Sequence, residues 1–190
     1  MDTLTDILFC VSNALLVPVI IILLCLFFLM IFYLGGMTGE ALNRSKWGKG
    51  FRMFIDELKT DPNKKVQAVE IPKLGGIPGK AFQNVRADKE KIIDDLQLES
   101  EHLLGRLMFG IRLGPILGLT GTLIPLGPAL TSLSTGDIST LSSKLVVAFT
   151  TTVLGLLVGG VCFAMHSIRR RWYMQDLNDI EFIMKRMDGQ

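Results

Sequence analysis

Three stretches of the chain, residues 7–39, 113–136 and 145–168, contain no Asp, Glu, Lys or Arg, and all of its charge lies outside them. Each can supply the roughly 20 apolar residues that a helix needs to cross about 30 Å of hydrocarbon. A soluble fold would have to bury all three within 190 residues, so the pattern predicts three membrane-spanning helices. The first reads LLVPVIIILLCLFFLMIFYLGG and is bulky on every side. A helix with no polar face has nothing to offer a water-filled path, so this span is expected to face lipid. Its Pro18 falls near one end, where a lost backbone bond costs least. The second and third spans are rich instead in small and hydroxylated residues.

Helical periodicity continues beyond the spans. From Gly39 to Lys59, Trp47, Phe51, Phe54, Ile55 and Leu58 recur along one side of a basic amphipathic helix. Residues 61–80 carry Pro62, Pro72, Pro78 and the Gly75-Gly76 pair and read as a linker. A second helix begins near Asp88 and meets no breaker until Pro115, with Leu96, Leu103 and Leu107 on its apolar side. After the third span, Tyr173, Leu177, Ile180, Met184 and Met187 form a heptad seam. That tail is expected to continue the helix and pack on the rod before the second span. Pro125 and Pro128 should kink or end the second helix near one leaflet.

The segmentation that follows is residues 1–36 as N-terminus and first span, 37–112 as a helical region, and 113–132 as the second span. Residues 133–144 form a short hairpin, 145–168 the third span and 169–190 a helical tail. Charge orients it. Fourteen of the 20 Lys and Arg lie between Arg44 and Arg112 and five more from Arg169 onward, against Lys144 alone in the hairpin. The positive-inside rule puts residues 40–112 and the tail in the cytoplasm, and the N-terminus and hairpin outside. Arg169, Arg170 and Arg171 would then meet anionic headgroups at the boundary. No removable signal peptide is expected, because the start carries Asp2 and Asp6 and the first apolar run is long enough to remain as a span. Cys10, Cys25 and Cys162 show no CxxC spacing and read as small apolar residues.

Candidate chemistry is confined to the second and third spans. Gly114, Gly118 and Thr122 recur every four residues, as do Gly155 and Gly159, and with Gly121 they make small faces on which helix backbones can approach closely. Thr120 and Thr122 in one span, and Thr150, Thr151 and Thr152 in the other, bring hydroxyls that can replace an ion's hydration water or relay a proton. A membrane threonine also commonly bonds its own backbone, which needs no function. His166 is the one titratable side chain of strong polarity in any span and falls within roughly 40° of the Thr152 face; contact with headgroups is its alternative reading. No span contains Asp or Glu, and neither HExxH nor GxSxG occurs, so no enzyme, metal site, cofactor or nucleic-acid partner is expected.

Gly114-Pro-Ile-Leu-Gly-Leu-Thr-Gly-Thr122 and Ala148-Phe-Thr-Thr-Thr-Val-Leu-Gly-Leu156 resemble, in order and spacing, two segments of the MotA/TolQ/ExbB proton-channel family. The likeness is good over about residues 99–172 and topological before that. It implies an all-α membrane protein with long cytoplasmic helical extensions, assembled as a five-fold homo-oligomeric ring in the inner membrane. The second and third spans would line a pore, with Thr122 and Thr152 matching the family's pore-facing threonines. It also implies a single-span partner of the ExbD/TolR/MotB kind, which brings the missing Asp and is driven by proton or sodium flow. The alternative is a non-conducting scaffold with the same packing and a dry interior. The sequence departs from the family where ExbB and TolQ carry a third-span glutamate, here Val147, and a later proline, here Val161; Pro125 and Pro128 are also outside the usual pattern.

Overall fold

The computed structural model describes residues 2–60, 75–81 and 89–188, and every element among them is a helix. In chain order these are α1 (Asp2–Thr60), α2 (Gly76–Ala81), α3 (Lys89–Ser134) and α4 (Ile138–Asp188). Three of them, α1, α3 and α4, are long and apolar enough to cross a membrane.

The helices run through several expected boundaries. α1 is unbroken at Gly35-Gly36, so the amphipathic segment from Gly39 is its continuation. A helical glycine costs only about 1 kcal/mol against alanine, which a long ladder absorbs. α3 carries Pro115, Pro125 and Pro128 inside it and ends only at Ser134. Of the kink or end expected at Pro125 and Pro128, the end is therefore corrected: each proline removes one backbone bond without ending the helix. Between α3 and α4 only residues 135–137 are non-helical. Gly136 has φ 75 and donates its N–H to the Leu133 carbonyl, while Asp137 N–H reaches the Ser132 carbonyl at 2.9 Å. This pair of bonds closes a helix on a left-handed glycine. The Asp137 carboxylate then accepts from Thr140 N–H at 3.1 Å and caps α4.

The described chain divides into two units. The first comprises residues 1–34 and 106–165. Here α3 and α4 pair as an antiparallel hairpin, and α1 buries Leu23 and Met30 while Val17, Ile21, Phe28 and Phe32 stay exposed. Only 11% of the most apolar window of α1 is buried, against 33% in each of the other two. The absence of a polar face on α1 thus goes with a helix that offers most of its circumference outward.

The second unit comprises residues 35–105 and 166–190, and α4 is its organising element. Ile183, with Phe182 and Met187 beside it, packs on Phe51, Ile55 and Leu58 of α1. Tyr173, Ile180 and Met184 pack on Leu96 of α3 and on Ile77 and Ala81 of α2, with Leu103 and Leu177 alongside. Tyr173, Leu177, Ile180 and Met184 of the heptad seam are therefore a core stripe against α3, whereas Met187 packs on the α1 side. α2 lies within the segment read as linker, of which residues 61–74 fall outside the described residues. Its six residues hold because Ile77, Pro78 and Ala81 are buried by distant partners, a contact that local sequence does not announce.

Candidate ion pathway

The α3–α4 hairpin of the first unit is built on glycine. A Cβ at Gly155 would stand 2.5 Å from the Gly114 carbonyl oxygen and 2.7 Å from Gly118 Cα; one at Gly114 would stand 2.8 Å from the Gly155 oxygen. One at Gly121 would meet Thr151 Cβ at 2.7 Å, and one at Gly159 the Pro115 ring at 2.8 Å. All five glycines named from the sequence thus lie on the contact between the two helices, Gly114, Gly118 and Gly155 against backbone and Gly121 and Gly159 against side chains. Gly110 belongs with them, because its missing Cβ makes room for the Cys162 sulfur. The four-residue spacing from Gly110 to Gly114 was the signal that could have found it.

These contacts fix the rotation of each helix and so place the threonines. Thr151 is buried against Gly121, inside the hairpin. Thr122 and Thr152 each follow one of this contacting pair. In antiparallel helices a step of one residue, about 100°, turns both toward the same flank. Thr120 and Thr150 precede the pair and turn to the opposite flank by the same geometry. The five hydroxyls therefore do not form one cluster: Thr122 and Thr152 fall on one flank, Thr120 and Thr150 on the other, and Thr151 is enclosed.

Both flanks carry exposed side chains. Leu119, Phe149, Leu156 and Phe163, which turn to the Thr122/Thr152 side, are all exposed. On the other side Ile116, Leu123, Val146 and Leu157 are exposed as well, while Ile124 is buried and Leu117, Leu154 and Val161 are half-covered. Thr122 donates to the Leu119 carbonyl at 2.6 Å, Thr120 to Ile116 at 2.9 Å and Thr150 to Val146 at 2.8 Å. Thr151 and Thr152 share the Ala148 carbonyl, at 2.8 and 3.4 Å, so Thr152 is held most loosely. A hydroxyl that donates to its own backbone keeps lone pairs that can accept from water or face a cation. No carboxylate lies in α3 beyond Glu101 or in α4 before Asp176, so this flank supplies oxygen dipoles without negative charge.

His166 is placed in the second unit and is half-buried. That unit holds a polar cluster which the sequence did not reveal. Arg44 of α1 pairs with Asp176 of α4, and its guanidinium lies over Trp47 at 5.6 Å and Trp172 at 5.1 Å. Arg169 Nε sits 3.2 Å from the Glu40 carboxylate, without the alignment of a hydrogen bond, and its side chain is only 11% exposed. Arg169 therefore does not meet headgroups as expected; Arg170 and Arg171 remain exposed. Tyr173 donates to Glu40 at 3.4 Å, and burial together with that carboxylate pushes its hydroxyl up to about 12, so it stays a neutral donor. Burial also lowers the Arg44 guanidinium from its ordinary value. Both arginines meet acidic partners from a distant helix, Arg44 with Asp176 and Arg169 with Glu40, which no local spacing encodes.

Residues 62–181 match the sequence model of a known family, described as the MotA/TolQ/ExbB proton channel family. No curated protein and no solved structure matches the chain.

Proposed function

The chain belongs to the MotA/TolQ/ExbB proton channel family, and from that premise we propose that it is the pore-forming subunit of an ion-driven energy-transducing channel. Family membership and three membrane-crossing helices make it a multi-pass membrane protein of a channel and transducer family, not an enzyme family. In the proposed assembly several copies, five by family likeness, form a ring in the inner membrane with the N-terminus outside and the C-terminus in the cytoplasm.

The observation that carries the reading is the flank of the hairpin on which the two family-matched threonines fall. Thr122 and Thr152 share it, the glycine contact behind them keeps it shallow, and no carboxylate lies on it. Hydroxyls can complete an ion's coordination shell, but they offset only part of the cost of a bare cation in hydrocarbon. Conduction then requires a negative charge from elsewhere, supplied by a single-span ExbD/TolR/MotB-like partner carrying an Asp and standing on the ring axis. Flow of protons or sodium past that Asp moves ring and partner against one another. The second reading, a non-conducting scaffold, draws on the same hydroxyls, since all five bond their own helix carbonyls.

The test is the purified chain without a partner, its stoichiometry by native mass spectrometry and its conductance in a planar bilayer. A closed oligomer nearly silent to ions is expected. A monomer or dimer would reject the ring, and robust cation current from the chain alone would reject the external carboxylate.

A further inference from the structure

The two outer flanks of the second unit carry opposite charge. α1 turns Glu40, Arg44, Phe51, Ile55 and Leu58 toward α4. Its far side therefore presents Leu42, Lys46, Lys49 and Met53, spaced four, three and four residues apart. Leu42 is 68% and Met53 73% exposed. Between residues 42 and 53 the exposed side chains include three cations, Lys46, Lys49 and Arg52, and no anion. On the other flank α3 turns Ile92, Ile93, Leu96 and Leu103 inward. Outward it presents Asp94, Leu98 and Glu101, with Leu98 64% exposed. Between residues 90 and 102 the exposed side chains include four carboxylates, Glu90, Asp94, Asp95 and Glu101, and one lysine, Lys91. Among the described residues Lys46 and Lys49 pair with no acid, and Asp94 and Asp95 with no base.

The two stripes also lie at the same level along α4. Arg44, inward of the α1 stripe at its level, is joined to Asp176; Leu96, inward of the α3 stripe at its level, packs with Tyr173 and Ile180. Copies related by an axis along the membrane normal keep one height, so one copy's α1 stripe faces the next copy's α3 stripe without vertical displacement. Each stripe has exposed apolar residues within its charges, the makeup of a small interface rather than of a solvated face. Opposite faces on one chain make a head-to-tail contact, the kind that closes into rings.

We infer that Leu42, Lys46, Lys49 and Met53 of one copy dock on Asp94, Leu98 and Glu101 of the next copy of this chain. The inference rests on the ring reading and specifies the contact that orders the subunits.

Two measurements on the full chain in membranes test it. In the first, Lys46→Glu/Lys49→Glu and Asp94→Lys/Glu101→Lys are made separately and together, and the oligomer-to-monomer ratio is read by native mass spectrometry after mild extraction. Each double variant should lower the ratio roughly ten-fold, the scale of two exposed pairs turned to repulsion. The four-fold variant, with both signs swapped, should recover it. In the second, Met53→Cys and Leu98→Cys are combined in a Cys10→Ala/Cys25→Ala/Cys162→Ala background and oxidised. A ladder of covalent multimers beyond the dimer is expected, absent from either single variant. An intact oligomer indifferent to both charge reversals, with no ladder, would overturn this contact while leaving the ring in place. A wild-type chain that is monomeric would overturn both.

Discussion

Replacing Gly155 with alanine tests whether the α3–α4 hairpin is held by backbone contact. The new Cβ would stand 2.5 Å from the Gly114 oxygen and 2.7 Å from Gly118 Cα, both of them backbone atoms. Neither can rotate away, so the helices must part by at least 0.5 Å merely to bring the first distance to 3.0 Å. A gap of about 0.5–1 Å forfeits a quarter to a half of the dispersion attraction of each atom pair it opens. Overpacking of this kind costs about 1–3 kcal/mol. At roughly 2–4 °C per kcal/mol for a chain of this size, the unfolding midpoint should fall by about 2–12 °C. Gly160→Ala is the matched control: it lies in the same helix, five residues on, and its Cβ would meet nothing within 4 Å. That change should leave the midpoint unchanged or raise it slightly, since alanine is the better helix former. The protein carries its own reporter. Cys162 is buried against Gly110, whereas Cys10 and Cys25 are exposed and can be replaced by alanine. Thermal unfolding in detergent, followed with a dye that fluoresces on reaction with the remaining thiol, gives the midpoint directly. Equal shifts for Gly155→Ala and Gly160→Ala would refute a glycine-dependent contact.

Other consequences can be checked alongside. Asp179 is held above the ordinary carboxylate range by burial and by Asp56, against the pull of Lys59 and Arg52; its charge therefore costs stability as pH rises through the raised value. Asp179→Asn should raise the midpoint near neutral pH, with the gain vanishing below about pH 3, where the wild-type group is also neutral; no gain at neutral pH would contradict that balance. Thr152→Val keeps the side-chain volume but removes the hydroxyl, so coupled ion flux should drop while assembly persists; His166→Ala should cause a smaller loss. Normal flux in Thr152→Val would make that residue a packing element only. Cysteines placed at residues 60 and 180 in intact cells should resist impermeant label, and labelling from outside would reverse the orientation drawn from charge.

The sequence made the spans, the heptad tail and the glycine faces legible because each is a periodic signal within a single helix. Tyr173, Ile180 and Met184 could be assigned to a core stripe from their spacing alone, and Gly114, Gly118, Gly155 and Gly159 to close packing. What lay beyond it were relations between helices. That Thr122 and Thr152 share a flank while Thr120 turns away depends on which residues of α3 and α4 touch, and only the Gly121–Thr151 contact decides it. The pairs joining Arg44 to Asp176 and Arg169 to Glu40 bridge well over a hundred residues of chain, so Arg169 read alone looked like a headgroup ligand. The turn at residues 135–137 is the exception. Its Gly136 and Asp137 are ordinary closing and capping residues, and a reading by helix-end chemistry could have shortened the hairpin.

In the proposed channel this chain conducts only with its partner, through an oxygen-lined path that borrows its charge. The most direct test is ion flux into proteoliposomes holding the purified chain, with and without a single-span ExbD/TolR/MotB-like protein bearing an Asp near the start of its span. Proton and sodium gradients are imposed separately. Flux should appear only with the partner, under one of the two gradients, and should be abolished when the partner's Asp is changed to Asn. Equal flux with and without the partner, or none under either gradient with the complex intact, would contradict the account.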